Sequence, residues 1–375
     1  MISIAMPRNE KAVSRRNVLR ATGGATAGLA VTGFANAKPT DKVRVNVGYR
    51  GKAGKRAAMD ASSKVHHDFS FDAVTLEVPK KAVKALQRRS EVRYVEEDGT
   101  MHALSQTLPW GVDRVDADEA HSAGYTGAGA DIAIIDTGID SSHPDLDNNI
   151  GSGTSYTSSS WEDNNGHGTH CAGIAAAEDN SQGVVGVAPE ATLHAVKVLN
   201  SNGRGSYSDI AAGIEYVANQ GWDVGSLSLG GSSGSSALQD AVSYAYNNGV
   251  FLATAAGNSG PCTDCVGYPA KYSECVAISS TNSSDGLSYF SSTGSEVEIA
   301  APGSSIYSTY YGDSYETLSG TSMATPHVAG AAGILMGQLG YSNTGARSRL
   351  QNTAEDLGLS SNEQGYGLLD VYSAV

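Results

Sequence analysis

Three short segments of the 375-residue chain carry side chains able to work together on an acyl group. Asp131-Ile-Ala-Ile-Ile-Asp136-Thr137-Gly138 is an apolar run that ends on a carboxylate. Gly166-His167-Gly168-Thr169-His170-Cys171 sets an imidazole between two glycines. Ser319-Gly320-Thr321-Ser322-Met323-Ala324-Thr325-Pro326-His327 puts a hydroxyl at the turn into a run of small apolar residues. A hydroxyl is a weak nucleophile until a base takes its proton, and a carboxylate can hold that base in the right tautomer. Each segment also has a plainer reading. A lone D-T-G occurs in aspartic proteases, which need two copies where this chain has one. His167 and His170 have the i, i+3 spacing of a zinc pair, but H-E-x-x-H is absent. A serine at a helix start is most often an N-cap.

The elements that must position these groups follow from local pattern. The apolar run to Asp136 suits a buried parallel strand that delivers its last residue to the sheet rim, where ligands bind in α/β folds. Small residues after His167 and after Ser322 predict two closely packed helices. Ser322 then sits near a helix N-terminus, where backbone N–H groups face developing negative charge. Pro326 has no N–H, so the Ser322 carbonyl loses its usual helical partner. Apolar strands such as 250–255 alternate with helical runs at 207–219 and 237–247, which predicts a three-layer α/β fold with a mainly parallel central sheet.

Charge divides the chain. Residues 1–104 hold 19 Lys+Arg and 10 Asp+Glu, whereas residues 105–375 hold 6 and 29. The acidic part repels phosphate, so nucleic acid is not an expected partner. Its surplus acid predicts self-repulsion that salt relieves, and hence a salt-requiring (halophilic) protein. Residues 1–37 read as an export leader: Arg15-Arg16 precede a charge-free stretch that closes with Ala35-Asn36-Ala37, similar to a twin-arginine (Tat) signal. No stretch is apolar and long enough for a membrane span. Residues 38–104 show strand patterns at 43–49, 71–78 and 91–97, a basic loop at 50–56 and a helical run at 80–89, which predicts a small α+β unit. Cys262, Cys265 and Cys275 lie together, and one bridge among them is favoured over zinc because C-x₂-C has no second pair. Cys171 reads as a buried thiol.

Asp136, His167 and Ser322 in that chain order, with G-H-G-T-H and G-T-S-M-A-x-P-H, resemble the subtilisin-like serine proteases (subtilases) over everything beyond the leader. The acidity and leader look most similar to haloarchaeal halolysins. The resemblance implies a secreted serine endopeptidase, with a ferredoxin-like inhibitory propeptide at 38–104 and a catalytic domain at 105–375. Asp136, His167 and Ser322 would form the catalytic triad, and Asn258 the oxyanion hole. Gly203, Arg204, Gly205, Tyr207, Ser228, Leu229, Gly230 and Gly267 would line the substrate cleft. The primary pocket, floored by Gly267, would be large and apolar, favouring large uncharged residues. Structural Ca²⁺ would rest on Gln106, Asp145, Asn180 and the carbonyls of Glu178, Gln182 and Val184, with a weaker site near Ala270, Tyr272 and Glu298. No organic cofactor is implied. Partners would be polypeptide substrates, the chain's own propeptide and the Tat translocon, and the protein would be a monomer that processes itself near Leu104-Ser105. The alternative is a non-catalytic peptide-binding relative. A serine esterase would want G-x-S-x-G with Ser first, and neither is present. Asp223–Leu227 departs from the family pattern, and Gly225 there puts strand packing in question.

Overall fold

The computed structural model describes residues 42–99 and 106–375, and the chain divides into two compact units between His102 and Ala103. The Tat-like leader and the Leu104-Ser105 processing point lie outside the described residues.

The first unit runs β1 (Lys42–Tyr49), α1 (Gly51–Asp60), β2 (Lys64–Asp68), β3 (Ala73–Pro79), α2 (Lys80–Gln87), β4 (Val92–Glu97). The sheet order is β2-β3-β1-β4, with every pairing antiparallel. This is the βαββαβ arrangement expected from the ferredoxin-like reading. Two elements differ from the sequence expectation. Residues 50–56 are not a loop: α1 occupies them, with Gly54 and Ala58 buried one turn apart. A Cβ on Gly54 would fall 2.4 Å from the Glu91 carbonyl, so the glycine is there for close packing. Strand β2 escaped notice because its residues are exposed or half-buried and carry no alternating apolar pattern.

The second unit is built on a seven-stranded sheet. Its strands are β5 (Asp131–Asp136), β6 (Ile150–Ser155), β7 (Thr192–Lys197), β8 (Val224–Leu227), β9 (Phe251–Ala255), β10 (Val276–Thr281) and β11 (Val297–Pro302). They lie in the order β11-β10-β9-β8-β5-β7-β6, all parallel. Alternation along β5 sorts its side chains between two cores. Ile132 and Ile134 join the core with α3 (His167–Ala176) and α6 (Thr321–Gly333). Ala133 and Ile135 join the core with α4 (Tyr207–Gln220) and α5 (Ser236–Asn247). The sheet is thus covered on both faces, the three-layer arrangement expected. An antiparallel pair, β12 (Ile306–Tyr310) and β13 (Ser314–Leu318), packs beside α3.

Gly225 leaves no gap in β8. Leu252 and Ile135 fill the missing side chain's place, 3.2 and 3.3 Å from where its Cβ would be, and all four β8 residues are buried. The parallel sheet has one functional edge. Asp136 ends β5, Lys197 ends β7, Ser228 follows β8 and Ala256–Asn258 follow β9. Four neighbouring strands therefore present their chemistry along a single carboxyl-end rim.

Candidate active site

The first contact to establish is between Asp136 and His167, 31 residues apart. Glycines make it possible. Gly138 adopts φ +105°, and a Cβ there would meet the Trp161 carbonyl at 2.2 Å. A Cβ on Gly168 would sit 2.1 Å from the Gly138 carbonyl, while the Gly168 N–H donates to Thr137 Oγ1 at 2.9 Å. The D-T-G turn and the start of α3 therefore interlock backbone to backbone. His167 Nδ1 lies 2.8 Å from Asp136 Oδ1, which also accepts the Thr137 N–H at 2.7 Å. With Nδ1 engaged by the carboxylate, Nε2 is the ring nitrogen left to accept a proton. Burial alone would lower the His167 pKa. The charge of Asp136 and its hydrogen bond outweigh burial, and the net shift is upward from 6.5.

Ser322 is the second residue of α6, whose Pro326 lies inside the helix. Its orphaned carbonyl accepts from Ser228 Oγ at 2.8 Å and from the Cys171 thiol at 3.5 Å. Ser322 Oγ in turn donates to the Ser228 carbonyl at 3.1 Å. The reciprocal pair ties α6 to the end of β8, and Cys171 ties it to α3. For its proton to pass to His167, the Ser322 hydroxyl must leave the Ser228 carbonyl and turn to the imidazole. Asn258 Oδ1 accepts both the N–H and Oγ1 of Thr321, at 2.9 and 3.1 Å. That fixes the amide and leaves its NH₂ without a protein acceptor among the described residues, next to the Ser322 N–H that a helix start leaves unbonded.

His170 and His327 take no part. His170 Nε2 meets the Glu316 carbonyl at 3.0 Å, His327 Nδ1 the Met323 carbonyl at 2.9 Å, and burial lowers each pKa to about 4. The zinc pair is thus not formed. Asp136, His167 and Cys171 do converge within 4.8 Å, but burial raises the Cys171 pKa far up, so the sulfur stays a thiol. Cys262 and Cys265 are bridged, and Cys275 is free and buried.

Two cavities flank Ser228–Gly231. One of about 510 Å³ runs from His167 to Gly203, Arg204, Gly205 and Tyr207. The other, about 660 Å³, adjoins Ser322 and Asn258 and includes Gly267. Ser228, Leu229 and Gly230 line both. The second cavity is large but not apolar as expected. Ser232, Asp264 and Lys271 share its wall with Ala255, Val266 and Tyr268, and Asp264 comes from the bridged 262–265 turn.

The expected calcium ligands are also gathered. Gln106 Nε2 donates to the carbonyls of Glu178 and Val184 at 2.5 and 2.9 Å. Asp145 is 0% exposed; its Oδ2 accepts from Val184 N–H and Tyr315 OH, while its Oδ1 has no partner. Asn180 and Gln182 both donate to the carbonyl of Pro144, beside Asp145. A buried, unpartnered carboxylate oxygen beside carbonyls suits a hard cation. The weaker site is not formed as expected. The Glu298 carboxylate pairs instead with Arg347 and Gln351, and Tyr272 OH donates to the Ser235 carbonyl.

Two positioning residues were missed in the sequence. Asp163 Oδ1 accepts the N–H groups of Asn165 and Gly166, and Oδ2 accepts the N–H and hydroxyl of Thr169. It caps the start of α3 from four residues before His167. An acid just ahead of a helix start was the available signal. Lys197 is 1% exposed and donates to the Thr137 carbonyl and to Asn164 Oδ1, joining the segments beside Asp136 and His167. A lysine inside the apolar run 195–199 was its signal.

Fold and site together define a serine endopeptidase: a parallel sheet whose rim carries a carboxylate–imidazole pair beside a helix-start serine and a fixed amide. Residues 127–367 match the Subtilase family. Subtilisin E of Bacillus subtilis is 46% identical over 85% of each sequence, and Subtilisin J of Geobacillus stearothermophilus is 45% identical over the same share. An alkaline protease of Alkalihalobacillus alcalophilus is 45% identical over 82% of this chain and 80% of its own. The chain belongs to the Subtilase family. The relatives named are bacterial.

If neutral His167 is the working base, kcat/KM falls as pH drops through its pKa. The raised pKa places that acid limb above 6.5. Asp136→Asn removes the charge that raises it, so the limb should move down while the rate falls by about 10⁴-fold. A pH–rate profile of both forms decides this; a limb left unmoved by the substitution contradicts it.

Proposed function

We propose that Ser322, His167 and Asp136 hydrolyse peptide bonds through an acyl-enzyme. The 2.8 Å Asp136–His167 pair, linked to the Ser322 turn through Cys171, is the observation that carries this reading. Ser322 Oγ attacks the scissile carbonyl as His167 Nε2 takes its proton. His167 then returns the proton to the leaving amine, and Asp136 stabilises the imidazolium between the two steps. The oxyanion receives hydrogen bonds from Asn258 Nδ2 and the Ser322 N–H. Water enters by the same route in reverse. The substrate lies extended along 203–205 and 228–230, where glycines admit its backbone. Large uncharged side chains would enter the cavity floored by Gly267, though its polar wall widens what it accepts.

Residues 38–104 act as an inhibitory propeptide, and cleavage near Leu104-Ser105 releases the mature enzyme. The leader exports the protein through the Tat route to the outside. No helix among the described residues is long and apolar enough to cross a membrane. Gln106, Asp145, Asn180 and the carbonyls of Glu178, Gln182 and Val184 hold a structural Ca²⁺, which ties the start of the mature chain to two loops. A monomer suffices for these roles.

Ser322→Ala should neither hydrolyse casein nor separate residues 104 and 105. Persistent self-processing by that variant would place the chemistry elsewhere. On the same inactive background, chelation of calcium should lower Tm, since an ion at 100 times its Kd contributes about 2.7 kcal/mol. Asp145→Asn on that background should abolish the response, and a Ser322→Ala Tm insensitive to chelation would refute the site. Dialysis to low salt with calcium retained should reduce helix signal and activity, because 29 acids face only 6 bases in residues 105–375. Retention of both would reduce the acidity to a solubility feature.

A further inference from the structure

Residues 105–375 contain six basic side chains, and five are committed within the fold. Arg114 pairs with Asp285 at 2.6 Å and Glu355 at 2.8 Å. Lys197 is buried against Thr137 and Asn164. Lys271 lies between Asp264 and Glu296, at 3.2 and 3.3 Å. Arg347 holds Glu298, and Arg349 donates to the carbonyls of Ser373 and Ala374. Arg204 differs. Its guanidinium has no hydrogen bond or ion pair among the described residues, it is exposed, and it lines the cavity that starts at His167.

The backbone beneath it is fixed. Asn200 N–H donates to the Arg204 carbonyl at 2.9 Å, and Asn200 Oδ1 accepts from the N–H groups of Asn202 and Arg204. The rest of the wall includes Leu199, Ile210, Leu229 and Leu238 and no carboxylate. In a body so rich in acid, a cleft wall without carboxylates that carries the one uncommitted Lys or Arg among the described residues of 106–375 is a local reversal of sign. Apolar walls concentrate the field of such a charge.

We propose that Arg204 selects acidic side chains in the peptide, two or four residues upstream of the cut. An extended strand turns those alternate positions to the same side. The inference rests on the endopeptidase reading above and adds a charge preference to it. The guanidinium offers a planar set of donors that a Glu or Asp carboxylate matches, and the preference is one of attraction for that carboxylate over repulsion of an ammonium.

The test uses the mature enzyme and quenched fluorescent peptides that differ only in Glu, Gln or Lys at the second or the fourth upstream position. The expected order of kcat/KM is Glu, then Gln, then Lys at one of these positions, with Glu over Lys by about two- to fivefold, the scale of exposed ion pairs. The ratio should shrink as salt is raised. Arg204→Lys should keep the order, Arg204→Gln should flatten it, and Arg204→Glu should reverse it. Ratios within one variant are compared, so a general loss of activity does not obscure the result. Equal rates for all three peptides at both positions, or an order unchanged in Arg204→Gln, would overturn the proposal. If none of the peptides is cut, the endopeptidase reading fails instead.

Discussion

The hydrogen bond between Asp136 Oδ1 and His167 Nδ1 is the interaction on which the rest of the site depends. It selects the imidazole tautomer, and it compensates for burying a ring that must carry charge during turnover. A carboxylate 1% exposed is costly unless it is paired. Asp136 Oδ1 meets that condition with the His167 ring and the Thr137 N–H, while Oδ2 is buried without a hydrogen-bond partner among the described residues. The parallel sheet supplies the carboxylate at a strand end, and α3 supplies the imidazole at its first residue. Much of the local sequence serves to bring those two ends within one hydrogen bond.

Three devices hold that geometry. Glycines at 138 and 168 allow a backbone approach that any side chain would block. Asp163 fixes the start of α3 through four accepted hydrogen bonds. Lys197 bridges the two flanking segments from the end of β7. Burial lowers the Lys197 pKa, against the charges of Asp163 and Asp136 that raise it. On the opposite side, the Ser228–Ser322 exchange satisfies a carbonyl that Pro326 leaves without its helical partner. Sheet rim and helix start are thus locked together by polar groups that would otherwise be buried unbonded.

Much of this was legible in the sequence because it depended on short-range pattern. The run into Asp136 reads as a buried strand, and small residues after His167 and Ser322 read as packed helices. Both forms are present. What escaped reading depended on neighbours distant in sequence. Helix α1 looked like a loop because its glycine makes sense only against Glu91 and Tyr49. Strand β2 has no alternating apolar face and is recruited by pairing with β3. The primary cavity was expected to be apolar from Gly267 alone, whereas Ser232, Asp264 and Lys271, from three separate segments, make its wall partly polar. Glu298 looked available for a cation until Arg347, from a later helix, was seen to claim it.

Ser322 must be the reacting serine, because its hydroxyl stands at the turn beside the Asp136–His167 pair, linked to it through Cys171. Covalent labelling with a fluorophosphonate, followed by peptide mapping in a mass spectrometer, measures this directly. The account predicts a single adduct on Ser322 that does not form when Asp136 or His167 is replaced. An adduct on another residue, or labelling of Ser322 that is indifferent to His167, would contradict it.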